Sequence, residues 1–336
     1  MSKLPGKKVT IRDVAKVAGV SVTTVSHALN GRGRIEAETI ARVKEAAERL
    51  GYRASQAARN LRGGRSGRIA IINSQSSPHQ VSLVDLEHFV RLLSGASEFA
   101  VEHGYTPVLT LPASQGQGAQ VDGVIIVDPV KGEPLIGALR LAGIPVVTTG
   151  RDPSQRREDE HWVDNDLYRA TLEMLDHLAA QGAKRVDLLA ASSIYSYSED
   201  AIRAYRDWSA QKGLQARMHE VEGLLSENGA YLTSLPLLQS AERPDALHCV
   251  TDRYAFGVML AAQSLGLKLP GDLLLSAGTD SDLAANHQPP LTALNLSPEQ
   301  IGREAAQLLI DLIEGAGGEP HRVVPYSLQV RATTAG

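Results

Sequence analysis

The chain has 336 residues, of which 43% are apolar and 21% charged, enough for two or three domains and ordinary for a soluble globular protein. Its single cysteine, Cys249, excludes an internal disulfide and fits a reducing cytoplasm. No apolar run approaches the ~18 residues of a bilayer span, and the start "MSKLPGKKVTIRD" lacks a secretory apolar stretch. A cytoplasmic protein with no membrane partner is therefore expected. The net charge of −4 hides an asymmetry: residues 1–68 hold 15 Lys+Arg against 5 Asp+Glu, while the remainder holds 19 against 33. A basic arm on an acidic body points to a polyanion partner, although a solubilising tail has the same charge signature.

In "TIRDVAKVAG" (10–19), Thr10 and Asp13 have capping-box spacing, Val14, Ala15 and Ala18 form an apolar stripe, and Gly19 stops the helix. Ser21 is a good N-cap for a second helix within "VSVTTVSHALNG" (20–31). There only Val25, Ala28 and Leu29 fall at core spacing, and most of the rest are small hydrogen-bonding groups. Helix, glycine turn, helix is the helix-turn-helix pattern, whose second helix enters the major groove. "EAETIARVKEAAERLG" (36–51) supplies a third helix with Ile40, Val43, Ala47 and Leu50 on one face.

Hydroxyls and helix N-terminal amides suit phosphate oxygens, and first-turn side chains reach base edges. Val22, Thr23 and His27 are the expected base contacts, and Ser21, Thr24, Ser26 and Asn30 the expected backbone contacts, with Thr10 and Arg34 completing the set. His27 also reads as a solvated surface histidine, and Ser26 as a hydroxyl satisfied by its own helix. In "RASQAARNLRGGRS" (53–66), Ser55 caps a short helix running to Leu61. An isolated helix needs roughly 12–15 residues, so this segment is expected to order only when paired with its twin on DNA. A plain basic linker is the alternative.

From Arg68 the pattern changes. Strands at 68–73, 106–111, 121–127, 143–149, 185–191, 215–221, 246–250 and 273–279 alternate with helices. The helices fall at 83–104, up to about Ala142, and at 166–181, 198–212, 226–240 and 253–265. This alternation argues for two parallel sheets in two Rossmann-like lobes, with ligands outside the carboxyl ends of the strands.

"TIRDVAKVAGVSVTTVSHALNG", followed by "RLGY", resembles the lactose-repressor (LacI/GalR-type) family of bacterial transcriptional regulators. "VDGVII", "GIPVV", "VDND" and "PPLTAL" are similar to that family's ligand-sensing domain. The resemblance implies an all-α helix-turn-helix headpiece at 1–52 and a hinge helix or linker at 53–67. An α/β two-lobed periplasmic-binding-protein-like domain would follow at 68–336. Its N-lobe would span about 68–160 and 297–323 and its C-lobe about 161–296 and 324–336, with crossings near 151–164, 296–298 and 323–325. It further implies a homodimeric repressor on palindromic double-stranded operator DNA, controlled by a small-molecule effector, a sugar or other small metabolite, with no cofactor.

Carried over residue by residue, "AARNL" makes Leu61 a minor-groove wedge, Ala58 a site of close helix approach and Arg59 a backbone contact. Ala54 replaces a frequent proline, and His27 stands where many members have arginine, implying a different base preference. The implied effector contacts are Ser74, Gln75, Ser76, Arg151, Leu225, Thr251, Asp252 and Asp280; Asp252 and Asp280 also read as helix N-caps. The family's R-x-x-G-aromatic motif becomes "AIRAY", with Ala201 and Ala204 at the arginine and glycine positions. Leu225 stands where some sugar sensors have an aromatic platform, and a cleft lacking both features implies a ligand other than a common sugar. "PASQGQGAQ" (112–120) is too short for the usual crossover helix, so a loop is expected there.

Other classes fit less well. An enzyme is not expected: no phosphate loop or metal-ligand spacing occurs, "GQG" (116–118) is a weak glycine pair, and Cys249 lies in an apolar strand. A transport-type binding protein is opposed by the missing signal stretch and the basic headpiece.

Overall fold

The computed structural model describes residues 10–29, 35–50, 65–74, 87–109, 120–154, 160–191, 194–222 and 226–335, apart from the side chains of Ser26 and Leu29. Asn30, Arg34, Ser55, Ala58, Arg59, Leu61, Gln75, Ser76 and Leu225 lie outside them, as do the hinge helix and most of the 112–120 connection. The chain divides into two compact units at Gly67/Arg68.

The first unit holds α1 (Ile11–Ala18), α2 (Val22–Leu29) and α3 (Ala37–Arg49). Val14, Val25 and Val43 are fully buried at its centre among Ala15, Ala18, Ala28, Ala46 and Ala47. Alanines at five of eight core positions let three short helices approach closely. Gly19 takes the left-handed conformation (φ +67) that turns the chain from α1 towards α2.

The second unit carries two six-stranded sheets. The first comprises β1 (Arg68–Asn73), β2 (Thr106–Leu109), β3 (Gly123–Val127), β4 (Val146–Thr149), β5 (Trp162–Asp164) and β11 (His321–Val323), in the order β11-β5-β4-β3-β1-β2, all parallel. Ile69, Ile71, Ile125 and Val147 face α4 (Glu87–Glu102) and α11 (Pro298–Glu314), whereas Ala70, Ile72, Val124 and Ile126 face α5 (Pro134–Leu141). β2 and β3 flank β1 rather than each other, so the 112–120 segment joins strands that are not neighbours.

The second sheet comprises β6 (Val186–Ala190), β7 (Met218–Glu220), β8 (Ala246–Cys249), β9 (Leu274–Ala277), β10 (Thr292–Asn295) and β12 (Ser327–Gln329), in the order β12-β10-β9-β8-β6-β7. Its helices are α6 (Leu167–Ala180), α7 (Ser196–Gln211), α8 (Glu227–Gln239), α9 (Asp252–Ser264) and the short α10 (Asp282–Asn286). This sheet is mixed, correcting the expectation of two parallel sheets: β12 runs antiparallel to β10. The reason is the route of the chain. β12 comes directly from β11 with no helix to reverse direction, so it enters the second sheet running away from Asn295, where β10 ends.

The chain passes between sheets at 165–166, 296–297 and 324–326. β5 belongs to the first sheet, so that lobe extends through Asp164 rather than stopping at 160 as expected. The pairing of β5 with β4 and β11 places it, a relation its three-residue length hides in sequence.

Candidate DNA-contact face and effector cleft

α2 opens with Ser21, whose hydroxyl accepts the Thr24 N–H at 3.0 Å and lies 2.8 Å from the Thr24 hydroxyl. The Thr10 N–H and hydroxyl both donate to Asp13 at 2.8 and 2.7 Å, so this threonine is tied to its own helix start. Thr23 and His27 are exposed four residues apart, on one face of α2. Val22 is half-buried and packs against the headpiece core, which leaves less of it for a base edge than the sequence reading assumed.

In the second unit a cavity of about 340 Å³ opens between the two sheets. The carboxyl ends of strands from both lobes line it: Asn73 and Ser74 after β1, Asp128 after β3, Thr149 on β4 and Asp164 on β5, facing His248, Thr251 and Asp280 from the other sheet. The rims are bridged. Val130 pairs with Tyr195, the Lys131 N–H donates to Ile194 O at 2.7 Å, and the Glu87 carboxylate accepts the Asp282 N–H at 2.9–3.0 Å.

Several sequence-predicted effector residues meet in this cavity, but their polar groups are already engaged. Ser74 donates to Glu133. Thr251 caps α9, accepting the Tyr254 N–H. Asp252 accepts from the Thr279 hydroxyl at 3.0 Å and from the Arg253 N–H at 2.9 Å. Asp280 is held by both guanidinium nitrogens of Arg331, at 2.7 and 2.8 Å.

Arg151 does not line the cavity. Its Nε donates to Asp164 at 2.9 Å and its terminal nitrogen to Asp200 on α7, while its N–H reaches the Ser196 hydroxyl at 3.1 Å. Burial acts to lower the Arg151 pKa, and the two carboxylates more than offset it, so the guanidinium is more firmly charged than usual. Arg151 is therefore an interlobe strut. Ala201, for which the resemblance implies an arginine in many relatives, does line the cavity.

Among the polar lining groups that sequence reasoning missed, four have chemistry of their own. Burial, reinforced by the charge of Asp164, pushes the Asp128 carboxyl up to about 7. Burial brings His248 down to about 4; its Nδ1 lies 3.0 Å from the Ser276 hydroxyl. Tyr195 and Tyr197 stack with centroids 5.3 Å apart, and burial followed by the Asp128 charge raises both phenols. Asp128 had a usable signal, since it directly follows the apolar run "GVIIV" at a strand end. Among the described residues no group of three or more His, Cys, Asp or Glu is placed to hold a metal ion, and no helix is long and apolar enough to cross a membrane.

A helix-turn-helix unit followed by two parallel-dominated sheets around a cleft is the build of a ligand-sensing DNA-binding regulator. Residues 10–55 match the bacterial regulatory proteins of the lacI family, and residues 175–334 match a periplasmic binding protein-like domain. The transcriptional regulator CelR of Thermobifida fusca is 27% identical over 328 residues, covering 95% of this chain and 96% of its own. Catabolite control protein A of Staphylococcus epidermidis is 25% identical over 343 residues, covering 97% and 99%. Among solved structures, a CelR–cellobiose complex aligns with a TM-score of 0.72 at 25% identity, over 97% of this chain and 99% of that one. A lac repressor dimer bound to operator and an anti-inducer aligns at 0.71 and 23%, over 98% and 100%, a likeness of fold. Over residues 10–55 the chain is thus similar to the lacI family of bacterial regulatory proteins, and its build is that of a DNA-binding transcriptional regulator with a small-molecule effector.

Proposed function

We propose that this regulator is a cytoplasmic repressor that binds a palindromic operator as a homodimer, with an effector in the interlobe cleft shifting the balance between two lobe arrangements. The observation that carries the reading is the exposed Thr23–His27 face of α2 within a segment of strongly positive charge. Thr23 and His27 read bases in the major groove, while Ser21 and Thr24 contact backbone near the helix N-terminus. Self-association is supported by exposed apolar residues on helices of both lobes: Val90 and Val101 on α4, and Leu232, Leu260 and Leu283 on α8, α9 and α10. Two copies related by a two-fold axis present two α2 helices to adjacent major grooves.

The test is retardation of duplex DNA selected from a randomised library, repeated as salt is raised, beside the sedimentation mass of the free protein. A dimer mass, a symmetric selected site and affinity falling linearly in log salt are expected. A monomer that retains no selected duplex at low salt would sink the reading.

A further inference from the structure

The guanidinium groups nearest the cleft are already committed to carboxylates. Arg151 holds Asp164 and Asp200, Arg331 holds Asp280 in a two-point pair, and Arg253 reaches Glu227 at 2.8 Å. Ala201, which also lines the cavity, adds no charge. An anionic ligand would therefore meet no uncommitted cation among the described lining residues. Asp128 presents the opposite situation. Its carboxylate makes no ion pair and no side-chain hydrogen bond among the described residues, and it lines the cavity.

The surroundings of Asp128 suit one kind of partner. Gly150 leaves room beside it: a Cβ there would lie 3.4 Å from both Asp128 Oδ1 and Ser196 Oγ. The stacked Tyr195 and Tyr197 rings line the same cavity, and aromatic faces attract cations at short range. A desolvated carboxylate gains most from a bonded positive charge, because burial otherwise drives it to take up a proton. Two further polar atoms of the lining lack partners among the described residues: Thr149 Oγ1, on a residue 2% exposed, and His248 Nε2, on a residue 0% exposed. Both residues line the cavity, so hydroxyls on a ligand have groups to meet.

We propose that the cleft selects a small organic cation, a protonated amine on a hydroxylated skeleton, whose ammonium group docks on Asp128 beside the Tyr195 and Tyr197 rings. The proposal rests on the cleft being the effector site of this regulator. The hydroxyls of the ligand pair with Thr149 Oγ1 and His248 Nε2, and the ammonium replaces the proton that the carboxyl otherwise carries.

The test uses the full chain and isothermal titration at pH 7.0 with two matched pairs, glucosamine against glucose and putrescine against butane-1,4-diol, and with glucose 6-phosphate as the anionic control. At least one amine is expected to bind tenfold or more tighter than its neutral partner, and Asp128→Asn is expected to erase that difference. The wild-type comparison stands by itself should the variant fold poorly. Equal binding within both pairs, tighter binding of the phosphate, a preference that survives Asp128→Asn, or no binding of either amine at millimolar concentration overturns the proposal. Retardation of selected DNA in the presence of each compound separates this outcome from the regulatory reading. An amine that binds through Asp128 without altering the DNA complex overturns the reading alone. A neutral compound that alters the DNA complex equally in wild type and Asp128→Asn overturns the proposal alone.

Discussion

The side-chain amide of Asn165 donates to the carbonyl of Val324 at 2.8 Å, across 159 residues of chain. The same nitrogen reaches the carbonyl of Leu296 at 3.1 Å. Asn165 lies in the first passage between the sheets, Leu296 in the second and Val324 in the third, so one buried amide ties all three together. Replacing it leaves two carbonyls in buried segments without this donor, and each such group costs about 1–3 kcal/mol. Asn165→Ala is therefore expected to lower the urea midpoint by the equivalent of about 2–4 kcal/mol. A midpoint within 0.5 kcal/mol of wild type, a figure roughly that of a neutral surface change, would show that the passages hold without it.

The Arg151 strut makes a separable prediction. Its guanidinium spans from Asp164 in one lobe to Asp200 on α7 in the other. Both carboxylates are about nine-tenths buried, whereas the arginine side chain is 34% exposed, so solvent weakens the pair. Arg151→Met strands the buried Asp164 charge and leaves Asp200 to Arg203, 2.9 Å away, and is expected to cost about 1–3 kcal/mol, less than a fully enclosed pair. Adding Asp164→Asn, which removes the stranded charge, is expected to restore part of the loss. Strict additivity of the two substitutions in chemical denaturation would rule out the direct coupling.

The same residue shows where sequence reasoning reaches and where it stops. Strand and helix periodicities place most elements within a few residues, as for "RIAIIN" and β1, because each is a local pattern repeated over one element. The position of Arg151 at a strand end is equally local, and it suggests a ligand contact. What occupies its guanidinium is not local: Asp164 and Asp200 lie 13 and 49 residues away. Asp280 is a similar case, with a partner 51 residues distant in Arg331. β12 reads as an ordinary strand, and only its route from the other lobe fixes its direction.

Acid stability is governed in part by His248. Burial holds its folded pKa at about 4 against the ordinary 6.5, so between those values the unfolded chain binds the extra proton. Stability is therefore full above about pH 6.5, falls as pH drops towards 4 and levels off below, a loss of up to about 3 kcal/mol. Asp128 works in the other direction. With a folded pKa of about 7, its folded form keeps a proton that the unfolded form releases, so stability declines as pH rises from about 4 to 7. Thermal melts from pH 4 to 8 are expected to show a flatter acid limb in His248→Gln. Asp128→Asn is expected to gain stability over wild type at pH 8 and to lose that advantage by pH 4. Parallel melting curves for all three proteins would contradict both assignments.

Helices α4 and α11 touch backbone to backbone through two glycines. A Cβ on Gly95 would lie 1.9 Å from Glu299 O, and one on Gly302 would lie 2.0 Å from Leu92 O. Neither obstacle is a side chain that can swing away, so accommodating a methyl separates two helices that share one core. Gly302→Ala is expected to cost about 1–3 kcal/mol or more from overpacking, despite the better helix propensity of alanine. Gly137, on the exposed face of α5, has nothing within 4 Å of a Cβ placed there and serves as the control. Gly137→Ala is expected to be neutral or to gain up to about 1 kcal/mol. Equal melting temperatures for the two alanine variants would show that α4 and α11 do not meet this closely.

His27 offers the clearest reading of sequence preference. It is exposed one turn beyond Thr23 on α2, and its imidazole presents one donor and one acceptor to a base edge. An arginine at the same place carries a two-pronged donor suited to guanine O6 and N7. His27→Arg is therefore expected to move the preferred base at one position of each half-site, with a discrimination of about 1–3 kcal/mol, and to leave the other positions unchanged. His27→Ala is expected to relax selection at that position while keeping the overall salt dependence, because phosphate contacts from other residues set the salt slope. Parallel selections from one randomised duplex library measure both effects. Identical selected sites for wild type and His27→Arg would remove His27 from the base-reading set and leave Thr23 as its exposed member on α2.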